Sequence, residues 1–293
     1  MGWLKLTLAV DRERVDAAEA ALEPFDPLSV TVSDAGDEPV LEPEPGASPL
    51  WSQCRLEALF DLSLEVGALR DALEQVGLSA PALDFVDDAD WQERWRQYAV
   101  DYCFADRLWL VPRDAAPPGE PALRLDPGLA FGTGSHPTTR LCLDWLARTE
   151  LDGLQVLDYG CGSGILGLAA LKLGCSELLA IDHDPQALLA TQENAAYNAL
   201  AGADRLVVGG PDALGDRTFD VVLANILANP LISLADRLAG ALRPGGVLVL
   251  SGLLLAQASE VQGAYPTLDL EAPVMEDDAE GRSWVRLVGK RTA

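Results

Sequence analysis

The sequence predicts an α/β protein, with a Rossmann-like, doubly wound, mostly parallel sheet behind a smaller N-terminal ferredoxin-like α+β domain. Three observations predict it. Beyond about residue 107, four near-continuous apolar runs, "LQVLDYG", "ELLAIDHD", "FDVVLANI" and "GGVLVLSG", alternate with helical segments, as strands buried on both faces do. Residues 1–88 follow the order βαββαβ. A chain of 293 residues, 49% of them hydrophobic, has the length and the apolar content for two cores.

Taken in order, "WLKLTLAV" alternates as a strand, "DRERVDAAEAALEPF" has helical spacing, and "LSVTVSDAG" alternates again before an acidic, Pro-rich loop from Glu38 to Pro49. "SQCRLEALFDL" reads as a strand, "SLEVGALRDALEQVG" as a helix with Ser63 at its N-cap, and "PALDFVDD" as the last strand of the small domain. The stretch "DADWQERWRQYAVDY" predicts a connecting helix, placed at residues 89–106, with Trp91 and Trp95 four apart as a packing stripe. Residues 107–293 form the second domain. Its tail carries a turn signal at Glu280 and Gly281 ahead of the alternating "SWVRLVGK", which predicts an antiparallel hairpin at the sheet's edge.

Charge narrows the partners. The balance of 21 Lys+Arg against 46 Asp+Glu gives a formal net charge of −25. Such a surface repels nucleic acid and anionic lipid and attracts basic proteins, and it serves solubility or a high-salt setting equally well. Cys54, Cys103, Cys142, Cys161 and Cys175 contain no CxxC pair, so reduced thiols are expected, with neither a disulfide framework nor a metal site. The N-terminus turns acidic too soon for a signal peptide, and no run approaches the roughly 18 apolar residues needed to span a bilayer. A cytoplasmic monomer is expected.

The candidate chemistry lies at strand ends. Gly160, Gly162 and Gly164 interrupt "VLDYGCGSGILGLAALKLG" where a strand should become a helix, at the carboxyl edge where open α/β sheets bind ligands. Glycine lets the backbone approach a ligand closely, and the free N–H groups of the following helix face it. A dinucleotide fingerprint would need glycine at 165, which is Ile165; the run is G-x-G-x-G preceded by Asp158, which argues against a hydride-transfer cofactor. Asp182 ends the next strand 22 residues after Gly160, where a carboxylate can accept hydrogen bonds from both hydroxyls of a ribose. In the competing reading the glycines make an ordinary tight turn and Asp182 caps the helix "PQALLATQENAAYN".

Asn225 brings a neutral amide to the same edge, able to accept from a substrate N–H or simply to form a strand-end turn. The stretch "DPGLAFGTGSHPTTRLCLDWL" carries Gly128, Gly132 and Gly134 into a helix start with His136, Pro137, Thr138 and Thr139. His136 and His183, the two histidines of the chain, read as capping or solvated groups and not as a general base.

Four of these stretches in order, "DPGLAFGTGSHPTT", "GCGSGILGLAALKLG", "IDHDPQAL" and "ANILANPL", resemble the bacterial methyltransferases of large-subunit ribosomal protein eleven, a family of class I S-adenosylmethionine-dependent enzymes. The resemblance covers about residues 88–290 by motif and the N-terminal region by its element order. It implies a seven-stranded sheet, S-adenosyl-L-methionine as methyl donor, and cofactor contacts at Thr139, Gly160, Asp182 and Asn225, with Gly162 on the same glycine ledge. It implies that Asn225 also holds the substrate amine, as the catalytic residue. A basic ribosomal protein of the large subunit, methylated on lysine or N-terminal α-amino groups and recognised by residues 1–88, is the implied substrate. Ser135 stands where the family usually has Thr, and His183 where an apolar residue is common; neither change removes a hydrogen-bonding group the cofactor needs. The competing functions are an N-methyltransferase of the same fold acting on another protein or a small amine, a nucleotide-dependent oxidoreductase, and a non-catalytic cofactor-binding scaffold.

Overall fold

The computed structural model describes residues 2–35, 51–61, 64–78, 81–87, 101–125, 134–202 and 205–292. The chain divides into two compact units, residues 1–98 and 99–293.

The first unit runs β1 (Gly2–Asp11), α1 (Val15–Leu22), β2 (Ser29–Asp34), β3 (Gln53–Phe60), α2 (Val66–Gln75) and β4 (Ala82–Asp87). Its strands pair antiparallel in the order β2-β3-β1-β4, the ferredoxin-like arrangement. Period-two patterning drives it: Cys54, Leu56, Ala58 and Phe60 of β3 point inward and share a core with Leu22, Leu69 and Leu73 of the two helices. Helix α2 begins later than expected, with Glu65 at its N-cap position and no side-chain cap bond. Leu64 N–H bonds Asp61 O and Leu64 packs on the core, both ahead of the helix. Ser63, the loop from Glu38 to Pro49, and the segment with Trp91 and Trp95 lie outside the described residues.

The second unit opens on a small sheet of β5 (Tyr102–Phe104), β6 (Leu108–Pro112) and β7 (Ala122–Leu125). This corrects the described end of the connecting helix expected over 89–106. Tyr102–Phe104 pair antiparallel with 108–110 through a turn in which Ala105 and Asp106 have φ of 49° and 55°. Phe104 is buried in the larger core, a burial that the strand supplies.

The large sheet is built from α3 (Pro137–Arg148), β8 (Gln155–Tyr159), α4 (Ile165–Lys172), β9 (Glu177–Ile181), α5 (Pro185–Tyr197), β10 (Leu206–Gly209) and β11 (Phe219–Asn225). It continues with α6 (Ala228–Ser233), α7 (Ala235–Gly240), β12 (Leu242–Leu254), α8 (Ala258–Gly263), β13 (Leu268–Leu270), β14 (Val274–Asp277) and β15 (Ser283–Arg291). The strand order is β10-β9-β8-β11-β12-β15-β13, with β14 also on β15. The first five strands are parallel and β15 runs antiparallel to β12. The expected seven places are filled by eight strands, because β13 pairs with residues 289–291 of β15 and β14 with 283–286. Pro273, which has no N–H to give a ladder, lies between them.

Strands apolar on both faces supply two cores. Val156, Leu178, Ala180, Val221 and Leu223 join Leu143, Leu168 and Ala195 of α3, α4 and α5 on one face. Their neighbours Leu157, Leu179, Ile181, Val222 and Ala224 join Leu231, Leu238 and Val261 of α6, α7 and α8 on the other. Among the described residues, no helix is long and apolar enough to cross a membrane.

Candidate active site

Strand register decides which residues meet. Tyr159 pairs with Ile181, so Gly160 and Asp182 leave the sheet side by side. Asp158 pairs with Leu223, which brings Asn225 level with Gly160, and Asn225 itself pairs with Ser251. The strand order reverses between β8 and β11, the switch point at which open α/β sheets leave a crevice.

The glycine loop is a backbone ledge. Gly160, Gly162 and Gly164 have φ of 76°, 54° and 79°, a left-handed run that side chains resist. At Gly160 a Cβ would also lie 2.5 Å from Ile226 Cγ2. Helix α5 grips the loop's carbonyls: Thr191 Oγ1 donates to Gly162 O at 3.0 Å and Asn194 Nδ2 to Ser163 O at 2.9 Å, both from buried positions. The Gly162 N–H is thereby aimed at Asp182 Oδ2, 3.0 Å away.

Gly164 offers α4 no side-chain cap. Asp158, 1% exposed, replaces it from β8: its Oδ2 accepts the Gly167 N–H at 2.8 Å, within the first turn of the helix. Burial pushes the Asp158 carboxyl up to about 7, opposed by the Gly167 bond and reinforced by the charge of Asp182.

Asp182 Oδ1 accepts from Asp184 N–H at 3.0 Å. The cap of α5 is Asp184, whose Oδ1 accepts from Gln186 N–H at 2.9 Å, so capping does not account for Asp182. His183 is 91% exposed, 3.3 Å from Asp182 Oδ1.

Thr139 is buried in the first turn of α3, and its Oγ1 accepts from Asn225 Nδ2 at 3.3 Å. The residues singled out in the sequence, Thr139, Gly160, Gly162, Asp182 and Asn225, therefore converge on one edge. His136 is the N-cap of α3, its Nδ1 accepting the Thr138 N–H at 3.3 Å.

Two supports were not read from the sequence. Thr191 and Asn194 lie on the buried stripe of α5 with Asn198, at i, i+3 and i+7, and polar residues on such a stripe are the signal that could have found them. Gly252 sits at a register break of β12 with φ 90°, where a Cβ would lie 2.3 Å from Ile226 O. That close approach seats the Asn225–Ile226 turn, and only a bulge glycine permits it. Among the described residues, no cluster of three His, Cys, Asp or Glu could hold a metal ion.

A mostly parallel sheet ending in a reversed strand, with a glycine ledge at its switch point and a carboxylate on the next strand, defines a class I methyltransferase. The family model described as ribosomal protein L11 methyltransferase (PrmA) matches residues 2–292. A ribosomal protein L11 methyltransferase of Pseudomonas aeruginosa strain LESB58 is 46% identical over 299 residues, covering 100% of both chains. One from Marinobacter nauticus is 45% identical over 301 residues, covering 99% of both. Among solved structures, a ribosomal protein L11 methylase from Lactobacillus delbrueckii subsp. bulgaricus superposes with a TM-score of 0.56 at 31% identity, over 66% of this chain and 99% of that one. The chain belongs to the ribosomal protein L11 methyltransferase family.

Proposed function

We propose that this enzyme transfers methyl groups from S-adenosyl-L-methionine to amino groups of ribosomal protein L11, on lysine side chains or the N-terminal α-amine. The observation that carries the reading is the state of Asp182. Each carboxylate oxygen accepts one backbone N–H; Oδ2 keeps a further acceptor site, and the second site of Oδ1 faces only the ring of His183, 91% exposed and free to turn to solvent, so the two oxygens can take the two hydroxyls of a ribose. That pair of acceptors fits an adenosine-bearing cofactor.

Asp182 would hold the ribose, Gly160 and Gly162 would present backbone at the start of α4, and Thr139 and Asn225 would complete the contact. When bound, the donor supplies a methyl group on a cationic sulfur. Asn225 then serves the acceptor: with Nδ2 turned to Thr139, its carbonyl oxygen is the atom offered to an amine N–H. A lysine amine, ordinarily near pKa 10.4, must be neutral to react, a form that an apolar pocket beside the cationic sulfur would favour. Residues 1–88 serve substrate recognition, and the formal charge of −25 draws in a basic protein. The enzyme works as a cytoplasmic monomer.

The test is Asn225→Ala, assayed with purified ribosomal protein L11 and radiolabelled donor. Transfer is expected to fall by about 10- to 100-fold while affinity for S-adenosylhomocysteine changes by less than about fivefold. Wild-type turnover in the variant removes Asn225 from the mechanism. Failure of the unaltered enzyme to label the protein removes the substrate.

A further inference from the structure

We infer that His136 is a positioning residue: as a neutral, Nε2-protonated cap of α3 it seats Thr139 against Asn225, and taking up a proton releases that seat. The inference rests on the cofactor site proposed above.

The backbone geometry favours one tautomer. The Thr138 backbone N–H is directed at His136 Nδ1 from 3.3 Å, and the Thr138 hydroxyl oxygen lies 2.7 Å from the same nitrogen. An N–H aimed at Nδ1 asks for a lone pair there, which the neutral ring supplies when its proton is on Nε2 and the Thr138 hydroxyl turns its hydrogen toward Nδ1. Nδ1 is then occupied by the helix and Nε2 has no lone pair, which removes His136 as a base toward substrate.

The ring is held from a second side. Its edge meets Trp284 with centroids 4.6 Å apart and planes at 74°. Trp284 Nε1 donates to Asp278 Oδ2 at 2.8 Å, and the same oxygen accepts Arg282 Nε at 2.7 Å. His136 thus joins the hairpin of β14 and β15 to the first turn of α3. Thr139 lies in that turn, its N–H on His136 O at 3.1 Å and its hydroxyl on Asn225.

Protonation strikes this arrangement twice. A proton on Nδ1 would turn to the Thr138 hydroxyl oxygen and leave the Thr138 N–H facing a donor instead of a cap, and a cation would sit at the positive end of the α3 dipole. The charged groups facing the ring are Asp278 and Arg282 of the hairpin, Glu276 of β14 and Arg140 of α3. Burial lowers the His136 pKa from 6.5; Asp278 and Glu276 oppose this, and Arg282 and Arg140 reinforce it. Cofactor affinity is therefore full above neutral pH and declines as pH falls through the lowered value.

The chain has two histidines, which makes the test direct. Nitrogen-15 spectra of the imidazoles, with His183→Asn identifying the His136 signals, should show an unprotonated Nδ1 at pH 7.5 and titration below 6.5. An Nδ1–H tautomer, or titration above 6.5, overturns the inference. Calorimetry with S-adenosylhomocysteine from pH 8 to 5.5 supplies the functional half. The wild type should lose about five- to tenfold more affinity on acidification than His136→Asn, whose amide caps without titrating. Parallel profiles overturn the inference alone. A wild type that binds no S-adenosylhomocysteine at any pH overturns the cofactor reading and this inference with it.

Discussion

Helices α4 and α3 both begin at the carboxyl edge of the large sheet, and their starts are built in opposite ways. The start of α4 is backbone: three left-handed glycines, carbonyls gripped by Thr191 and Asn194, and a cap lent by Asp158 from the preceding strand. The start of α3 is side chains: His136 caps its own helix, Pro137 occupies the first turn, and Thr139 reaches across to Asn225. A backbone ledge lets a ligand come close and brings no side-chain freedom with it, whereas a side-chain start can be tuned by substitution or by a proton. Damage to the first should therefore be all-or-none, and damage to the second graded.

The largest effect is expected at Asp182→Ala. The buried carboxylate aims Gly162 and would bind the ribose by charge-assisted hydrogen bonds worth roughly 1.5–3 kcal/mol each. Calorimetry should show affinity for S-adenosylhomocysteine falling by at least about 100-fold. A loss under about threefold would mean that the ledge does not depend on its acid, and the contrast with α3 would break.

Asp158→Asn sharpens the contrast through stability. The folded protein holds the Asp158 proton up to about pH 7, whereas the unfolded chain releases it near 3.8. The native state binds more protons between those values, so this residue makes stability fall as pH rises from about 4 to 7, after which its contribution is level. Asparagine keeps an acceptor for Gly167 and buries no charge. Urea denaturation at pH 5, 6, 7 and 8 should show the variant gaining on the wild type with rising pH, by on the order of 1–3 kcal/mol at pH 8. Parallel curves would place the Asp158 pKa near its ordinary value.

What could be read in advance follows from the range of the interactions. The two larger sheets were legible because alternating and continuous apolar runs report local burial, and β3, β8, β9, β11 and β12 carry them, whereas β10, with no buried residue, does not. The ledge, Asp182 and Asn225 were legible because strand ends in a parallel sheet share one edge whatever the side chains do. The start of α2, by contrast, lies beyond the core-packed Leu64, and the strand at Tyr102–Phe104 depends on a partner six residues on; neither leaves a local period. Thr191, Asn194 and Gly252 are explained by the loops they touch, 29 and 31 residues away for the first two and 26 for the last, a distance that no window of periodicity spans.

The smallest effect tests the graded side. Arg140 of α3 pairs with Glu276 of β14, with side chains 28% and 34% exposed, and this pair ties the start of α3 to the hairpin that carries Trp284. Water at such a pair screens the attraction, so a double-mutant cycle of Arg140→Met and Glu276→Gln in urea should return a coupling of about 0.5 kcal/mol. In 1 M salt the screening length drops to about 3 Å and the coupling should fade, while the stability lost in Asn194→Ala, a buried contact at α4, should not change. A coupling above about 1.5 kcal/mol that persists in salt would make this pair behave as a buried one. The start of α3 would then be as rigid as the ledge, and a proton on His136 would have little left to loosen.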